Sequence, residues 1–366
     1  MVIHYKTAAL IAGAALATSV ATASQAQNLM ISAGLPQSHN WVGHHMDPFM
    51  AAVEEASGGG ITFTPFYAGE LVGIGRELDA LTSGTIDIAA PLLSPYHEGR
   101  FPLSDVSQLP TYNTDSEMVT RAYLNLMNSD VDLGTGATFY EYEVSSKGIV
   151  AWPLGATPPY FISTTGRALD SAAAFRGMPL RAGSAIHTIV LEELGATAVT
   201  MPATGAYEAL SRGTLEGIVL AVSDWPTYSL DRVLSFTLTD AAIGHWQSYL
   251  AISEATWDSL DDEGREQIAE AALATTMANA AELNRQLVEN RASAEAEHGA
   301  QFVSVDDMPQ ELQDHVAAAL TRTWVRWVEM VEGAGHPGRA TARLYAELIL
   351  AEGGELPEGV AEYLEM

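Results

Sequence analysis

The sequence predicts an α/β fold arranged as two lobes, and three observations carry that expectation. Strand-like and helix-like segments alternate through the first ninety residues, which is the grammar of βαβ units. One helix–strand joint recurs, because Ala80-Leu-Thr-Ser-Gly-Thr-Ile-Asp87 and Ala209-Leu-Ser-Arg-Gly-Thr-Leu-Glu216 match at a fixed offset of 129 residues. Finally, residues 259–298 contain no proline and only Gly264 as an early interruption. Such a stretch reads as one helix, roughly 60 Å long at about 1.5 Å per residue, long enough to brace both lobes.

The elements follow in order. Residues 28–33 read as a first strand, 46–56 as a helix ending at Gly58-Gly59-Gly60, and 61–67 as an alternating second strand. Leu78 and Leu81 share one face of a helix over 75–83, Gly84 stops it, and 86–90 is a third strand. Residues 178–182 read as another strand. Ser184 then N-caps a helix with Ile186, Ile189, Val190 and Leu194 on one face, and Gly195 closes it in left-handed geometry. Asp261, Asp262 and Glu263 load the N-terminus of the long helix with the charge its dipole favours. After Pro309 come helices over 310–332, with Trp324 and Trp327, and over 340–351. No low-complexity linker is present, so strands or helices must join the lobes, expected at 27–158 with 246–285 and at 159–245 with 286–366.

Composition narrows the functional classes. The 366-residue chain carries 46 acidic and 17 basic residues, a net charge of −29, which repels phosphate backbones and excludes nucleic acid as a partner. A local arginine still suits an anionic metabolite, because charges are screened over about 8 Å at physiological salt. With no cysteine there is no disulfide, iron–sulfur cluster or thiol nucleophile, and the 48% hydrophobic content must stabilise the chain through its core. Residues 1–26 read as a secretory signal: Lys6, an apolar run over 8–17 extending to Val20, then Ser24 and Ala26 at −3 and −1 of the cut.

The segment Arg176-Gly-Met-Pro-Leu-Arg181-Ala-Gly-Ser184 puts Arg181 where a short strand feeds a helix N-terminus. A guanidinium offers a planar fork of donors, and a helix terminus adds roughly half a positive charge, so the pair points to a carboxylate-bearing ligand. On spacing alone a surface arginine fits as well.

Several further segments occur in a specific order: Tyr67-Ala-Gly-Glu-Leu71, Gly75-Arg-Glu-Leu78, Phe101-Pro-Leu-Ser-Asp-Val106 with Leu109-Pro110, Phe175-Arg-Gly-Met-Pro-Leu-Arg181, Met201-Pro202 and Tyr207-Glu-Ala-Leu-Ser-Arg-Gly213. Over residues 29–250 this ordered set resembles the solute-binding proteins of tripartite ATP-independent periplasmic (TRAP) transporters, of the dicarboxylate-binding type. The resemblance implies a two-lobed periplasmic binding protein fold, lobes joined by crossing strands, a long helix spanning both, and a ligand enclosed when they close. It implies a periplasmic protein that hands a small organic acid to TRAP membrane permease subunits; a monomer without catalysis or cofactor is expected, no metal-ligating residues are singled out, and a metal ion bridging ligand and protein stays an open alternative. In that family an arginine at the place of Arg181 holds the ligand carboxylate.

Two departures bear on the ligand. Where many members carry a second arginine or polar group, this chain has Phe161, and after Glu216-Gly217 it runs Ile-Val-Leu-Ala-Val before Asp224-Trp225. A monocarboxylate with an apolar or aromatic body is therefore expected, packed by Tyr160, Phe161 and Trp225, each of which also fits a core position. The first loop brings Trp41 and His44 to the ligand wall by the resemblance, and Tyr96 is placed to close over the site. His39, His44, His45 and Asp47 lie too close in sequence to face one ion without a fixed turn, so no metal is expected there. His187 is read as a surface position in preference to a ligand contact. A sensor partner binding the same solute remains an alternative class. A hydrolase is the weaker one, since no nucleophile elbow, zinc-binding helix or P-loop occurs.

Overall fold

The computed structural model describes residues 26–241 and 243–366, so the expected signal segment, apart from Ala26, lies outside the described residues. Among the described residues there are eleven strands: β1 (Gln27–Ser32), β2 (Ile61–Phe66), β3 (Ile88–Leu92), β4 (Ile149–Pro153), β5 (Phe161–Thr164), β6 (Pro179–Ala182), β7 (Thr197–Thr200), β8 (Gly217–Leu220), β9 (Phe236–Thr239), β10 (Tyr249–Ser253) and β11 (Gln301–Ser304). They form two sheets, in the orders β2-β1-β3-β10-β4 and β11-β9-β5-β8-β6-β7. In the first sheet β1 runs parallel to β2 and β3, and β10 is antiparallel to its neighbours. The second repeats this plan, with β6 parallel to β7 and β8, and β5 antiparallel to β8 and β9.

The repeated joint seen in the sequence is this repeated plan. Helix Glu77–Thr82 leads to β3 as helix Ala206–Ser211 leads to β8. Gly84 (φ +71°) and Gly213 (φ +69°) end the two helices in the left-handed region that favours glycine, and Thr85 and Thr214 donate their N–H groups back to Ala80 and Ala209.

The lobes exchange strands. After β4 the chain crosses at 154–160 to enter the second sheet as β5, and after β9 the returning segment, described at 243–248, enters the first as β10. The two crossings are bonded to each other: Leu154 N–H to Ser248 O (2.9 Å), Thr157 N–H to Trp246 O (3.0 Å) and Tyr160 N–H to Gly244 O (3.0 Å). A third connection is the helix Asp262–His298, capped by Asp261, whose carboxylate accepts from Gly264 N–H. It packs on β4 and on helices Asp47–Ala56 and Ser116–Met127 of the first lobe, and on the turn Val222–Asp224 of the second.

The C-terminal helices depart from the expected boundary. Helix Gln310–Gly333 packs on helix Ala185–Glu193 of the second lobe, whereas Gly338–Ala351 packs on Ser116–Met127 of the first. Tryptophan N–H groups tie the former helix to the first lobe too, since Trp324 donates to Pro110 O (2.8 Å) and Trp327 to Asp105 Oδ1 (3.0 Å). The 286–366 segment thus serves both lobes, because its apolar stripes need a partner on each side.

Where the first crossing meets the long helix there is no room for a side chain. A Cβ on Gly155 would stand 2.6 Å from Ala280 N and 2.7 Å from Asn279 Oδ1. Gly155→Ala should therefore push the crossing off the helix and lower stability by about 1–3 kcal/mol, read from the midpoint and slope of urea unfolding.

Candidate functional site

The parallel strands of both sheets point their C-terminal ends at one another, and in open α/β sheets that is where ligands bind. A cavity enclosed by residues of both lobes lies there. The first lobe lines it with Leu35, His39, Trp41, Ile74, Leu93 and Tyr96. The second contributes Tyr160, Arg181, the 202–204 loop, Leu220, Asp224 and Tyr228, and Trp246 comes from the returning crossing.

Arg181 is 2% exposed, held in β6 between β7 and β8. Its Nε donates to Met201 O (2.9 Å), Nη1 to Val219 O (3.1 Å) and Nη2 to Tyr96 Oη (3.3 Å), the last contact reaching across the lobes. One hydrogen on Nη1 and one on Nη2 keep no acceptor among the described residues. No carboxylate lies within ion-pair distance of it among the described residues. Gly183 makes the packing possible, since a Cβ there would lie 2.8 Å from Arg181 Nη2 and 2.9 Å from Trp246 Cζ3. The apolar run after Gly217 supplies the Val219 carbonyl as an acceptor and Leu220 as a wall.

Aromatic rings enclose the remainder. Tyr160 stacks on Trp246 with centroids 6.3 Å apart, Tyr96 tilts against Trp246 at 5.7 Å, and His39 packs between Trp41 (5.4 Å) and Tyr228 (6.0 Å). Burial holds His39 down to about 3, so its ring is neutral at physiological pH. Burial raises the Asp224 carboxyl to about 7, against the opposing pull of Asn40 and the Arg181 charge. The Tyr96 and Tyr228 hydroxyls are likewise pushed upward by burial.

Of the residues singled out in the sequence, Arg181, Tyr160, Trp41 and Tyr96 meet at this cavity; Phe161, Trp225 and His44 do not. Successive residues of an extended strand face opposite sides, so Tyr160 and Phe161 cannot both look inward. Phe161 instead lies beside Tyr112, Thr239 and Asp240 at another depression. Trp225 turns into the second lobe and stacks on Phe302 at 5.7 Å. His44, half exposed, faces Glu282 of the long helix at 4.0 Å. His45 is buried against Thr276, and Asp47 accepts from Tyr67 Oη, so the four residues of the first loop face separate surroundings.

Two other expectations change. His187 is fully buried behind Tyr160 (4.9 Å), where burial and then the Arg181 charge hold it well below its usual range. The helix it belongs to is not an open anion trap: the Ser184 hydroxyl caps His187 N–H (3.2 Å), donates to Gln108 Oε1, and lies outside the cavity wall. Of the two sequence features that pointed to an anion, the guanidinium lines the cavity and the Ser184 helix terminus does not. Sequence reasoning passed over His39, Asp224 and Tyr228 as a group, although Asp224 and Tyr228 stand four apart around a helical turn and so share a face.

Comparison with known proteins places this architecture. The family model described as bacterial extracellular solute-binding protein, family 7, matches residues 31–326. The chain belongs to that family. A curated solute-binding protein of Albidiferax ferrireducens is 24% identical over 226 residues, 60% of this chain, and the chain spans 62% of that relative's length. Among solved structures, a marine metagenome TRAP solute-binding protein in complex with metahydroxyphenylacetate is 22% identical with a TM-score of 0.78, covering 89% of this chain and 99% of that one. A TRAP solute-binding protein from Rhodoferax ferrireducens, in complex with copurified benzoate, is 23% identical with a TM-score of 0.77, covering 89% and 98%. One from Bordetella bronchiseptica with bound mandelate is 17% identical with a TM-score of 0.74, covering 88% and 99%. These likenesses establish the two-lobed fold. Among the described residues of this family-7 protein, no helix is long and apolar enough to cross a membrane.

The raised Asp224 carboxyl has a signed consequence. Between its unfolded value near 4 and about 7 the folded chain holds this proton more tightly than the unfolded chain, so the group's contribution to stability falls as pH rises through that window. Asp224→Asn removes the effect. The stability of Asp224→Asn relative to wild type should rise between pH 4 and pH 8, by at most about 1.4 kcal/mol per pH unit, as read by urea unfolding of both proteins at each pH.

Proposed function

We propose that this family-7 protein captures a small organic acid, a carboxylate with an apolar or aromatic body, between its lobes in the periplasm and delivers it to the membrane subunits of a TRAP transporter. The observation that carries the reading is Arg181. A guanidinium buried at 2% exposure, with one hydrogen on each terminal nitrogen left without an acceptor and no carboxylate paired to it among the described residues, matches the two oxygens of a ligand carboxylate. Burying an unpaired charge is costly, and an anionic ligand offsets that cost. The remaining walls, Trp41, Tyr160, Tyr228 and Trp246 with Leu35, Leu93 and Leu220, suit a ring or short hydrocarbon body.

Capture would proceed by hinge closure. Ligand contacts to both lobes favour the closed state only by their differential affinity for it, and the Arg181–Tyr96 contact is one that opening breaks. Benzoate, metahydroxyphenylacetate and mandelate in the pockets of similar folds support the substrate class. Export to the periplasm and hand-over to a permease rest on the family membership and on the signal-like segment 1–26.

A thermal-shift screen of organic acids, amino acids and neutral sugars tests the reading. A millimolar dose of a micromolar ligand stabilises by roughly 4 kcal/mol, and the response should come from acids; a response confined to neutral sugars would overturn it. Arg181→Ala should weaken the best acid at least thirtyfold by titration calorimetry, since removing one partner of a buried charge pair costs about 2–5 kcal/mol.

A further inference from the structure

We propose that His39 and Asp224, one from each lobe, form a subsite that reads a hydroxyl group on the bound acid. The inference rests on the carboxylate reading above and adds what distinguishes one acid from another. Trp41 N–H donates to His39 Nδ1 (3.2 Å), which makes that nitrogen the acceptor and leaves the proton on Nε2. Nε2–H points toward Asp224 Oδ1 across 3.9 Å, too far for a hydrogen bond. Asp224 is 3% exposed, and its Oδ1 has no hydrogen-bond partner among the described residues. Both residues line the cavity that holds Arg181.

A donor and an acceptor at this spacing define the group between them. An oxygen about 2.8 Å from each atom closes a triangle with the 3.9 Å edge, within ordinary hydrogen-bond lengths. That oxygen must accept from His39 and donate to Asp224. A hydroxyl does both. An ether accepts from His39 but leaves the carboxylate oxygen bare, and an ammonium donates to Asp224 but offers the imidazole nothing. A ketone fits only when Asp224 is protonated, whereas a hydroxyl fits either state. Because His39 and Asp224 sit on opposite lobes, the bridged hydroxyl is also a closure contact, as Arg181–Tyr96 is at the carboxylate end.

Specificity of this kind is steep, since an acid lacking the hydroxyl leaves buried polar groups unpaired. The experiment is titration calorimetry with matched acids: benzoate against its 2-, 3- and 4-hydroxy derivatives, and phenylacetate against mandelate and benzoylformate. In wild type at least one hydroxylated acid should bind about ten- to a hundredfold more tightly than its parent and more tightly than its keto counterpart where one is tested. His39→Leu and Asp224→Leu should bring each such pair to within about threefold of one another, and Asp224→Asn, which retains an oxygen acceptor, should preserve a preference. Unfolding midpoints of the ligand-free variants check that each folds. Parent acids bound as tightly as all hydroxylated ones would overturn the hydroxyl subsite and leave the carboxylate reading standing. A uniform change in all acids on Asp224→Leu and Asp224→Asn would assign Asp224 to balancing the Arg181 charge instead, and overturn it too. Binding of none of these acids, with a response only to neutral sugars, would remove the carboxylate reading and this one together.

Discussion

A positive charge shut between two lobes, with no fixed counter-charge among the described residues, is the constraint around which the site is arranged. Arg181 is held by carbonyls of its own lobe, Met201 and Val219, so its fork is oriented before any ligand arrives, and its third contact reaches Tyr96 on the other lobe. Neutral acceptors orient a guanidinium without cancelling its charge, which preserves the attraction for an anion. The surroundings follow from that need. Gly183 leaves space for the guanidinium beside Trp246, and the neighbouring His187 stays neutral because burial and Arg181 both oppose a second positive charge.

The same charge explains the electrostatic contrast between surface and interior. The chain is strongly acidic overall, yet the cavity's one carboxylate, Asp224, has its proton affinity raised by burial. An acidic exterior screened within about 8 Å at physiological salt does little to an enclosed anion, whereas a fully ionised carboxylate beside the fork would compete with the ligand. Partial neutralisation of Asp224 by desolvation keeps the guanidinium available.

The lobes are joined at three places. Two bonded crossings and one helix of 37 residues pass between the sheets, and the first crossing's backbone at Gly155 lies close against Ala280. Trp41 links this joint to the cavity, because its indole donates to Gly155 O (2.8 Å) while its ring lines the site. The C-terminal helices close the opposite side, with Trp324 and Trp327 reaching the first lobe's Ser104–Gln108 turn and Pro110. Under the proposed closure, a ligand would bear on a joint whose packing is already close.

Much of this was legible from residues alone, for physical reasons that are local. The repeated helix–glycine–strand joint at 80–87 and 209–216 exposed two like lobes, because a glycine in left-handed geometry followed by a buried aliphatic is a backbone requirement. The long helix and its Asp261 cap, the Ser184 cap and Arg181 at the end of β6 were equally readable. What only the tertiary structure decided is which side chains meet. Tyr160 and Phe161 are equivalent in composition and part only through strand direction. His39 joins Asp224 from 185 positions away, and His187 looks amphipathic until Tyr160 and Trp246 cover it. Local backbone preferences are short-range and are written in neighbouring residues, whereas a cavity is made by surfaces distant in sequence, whose facing depends on how two lobes dock.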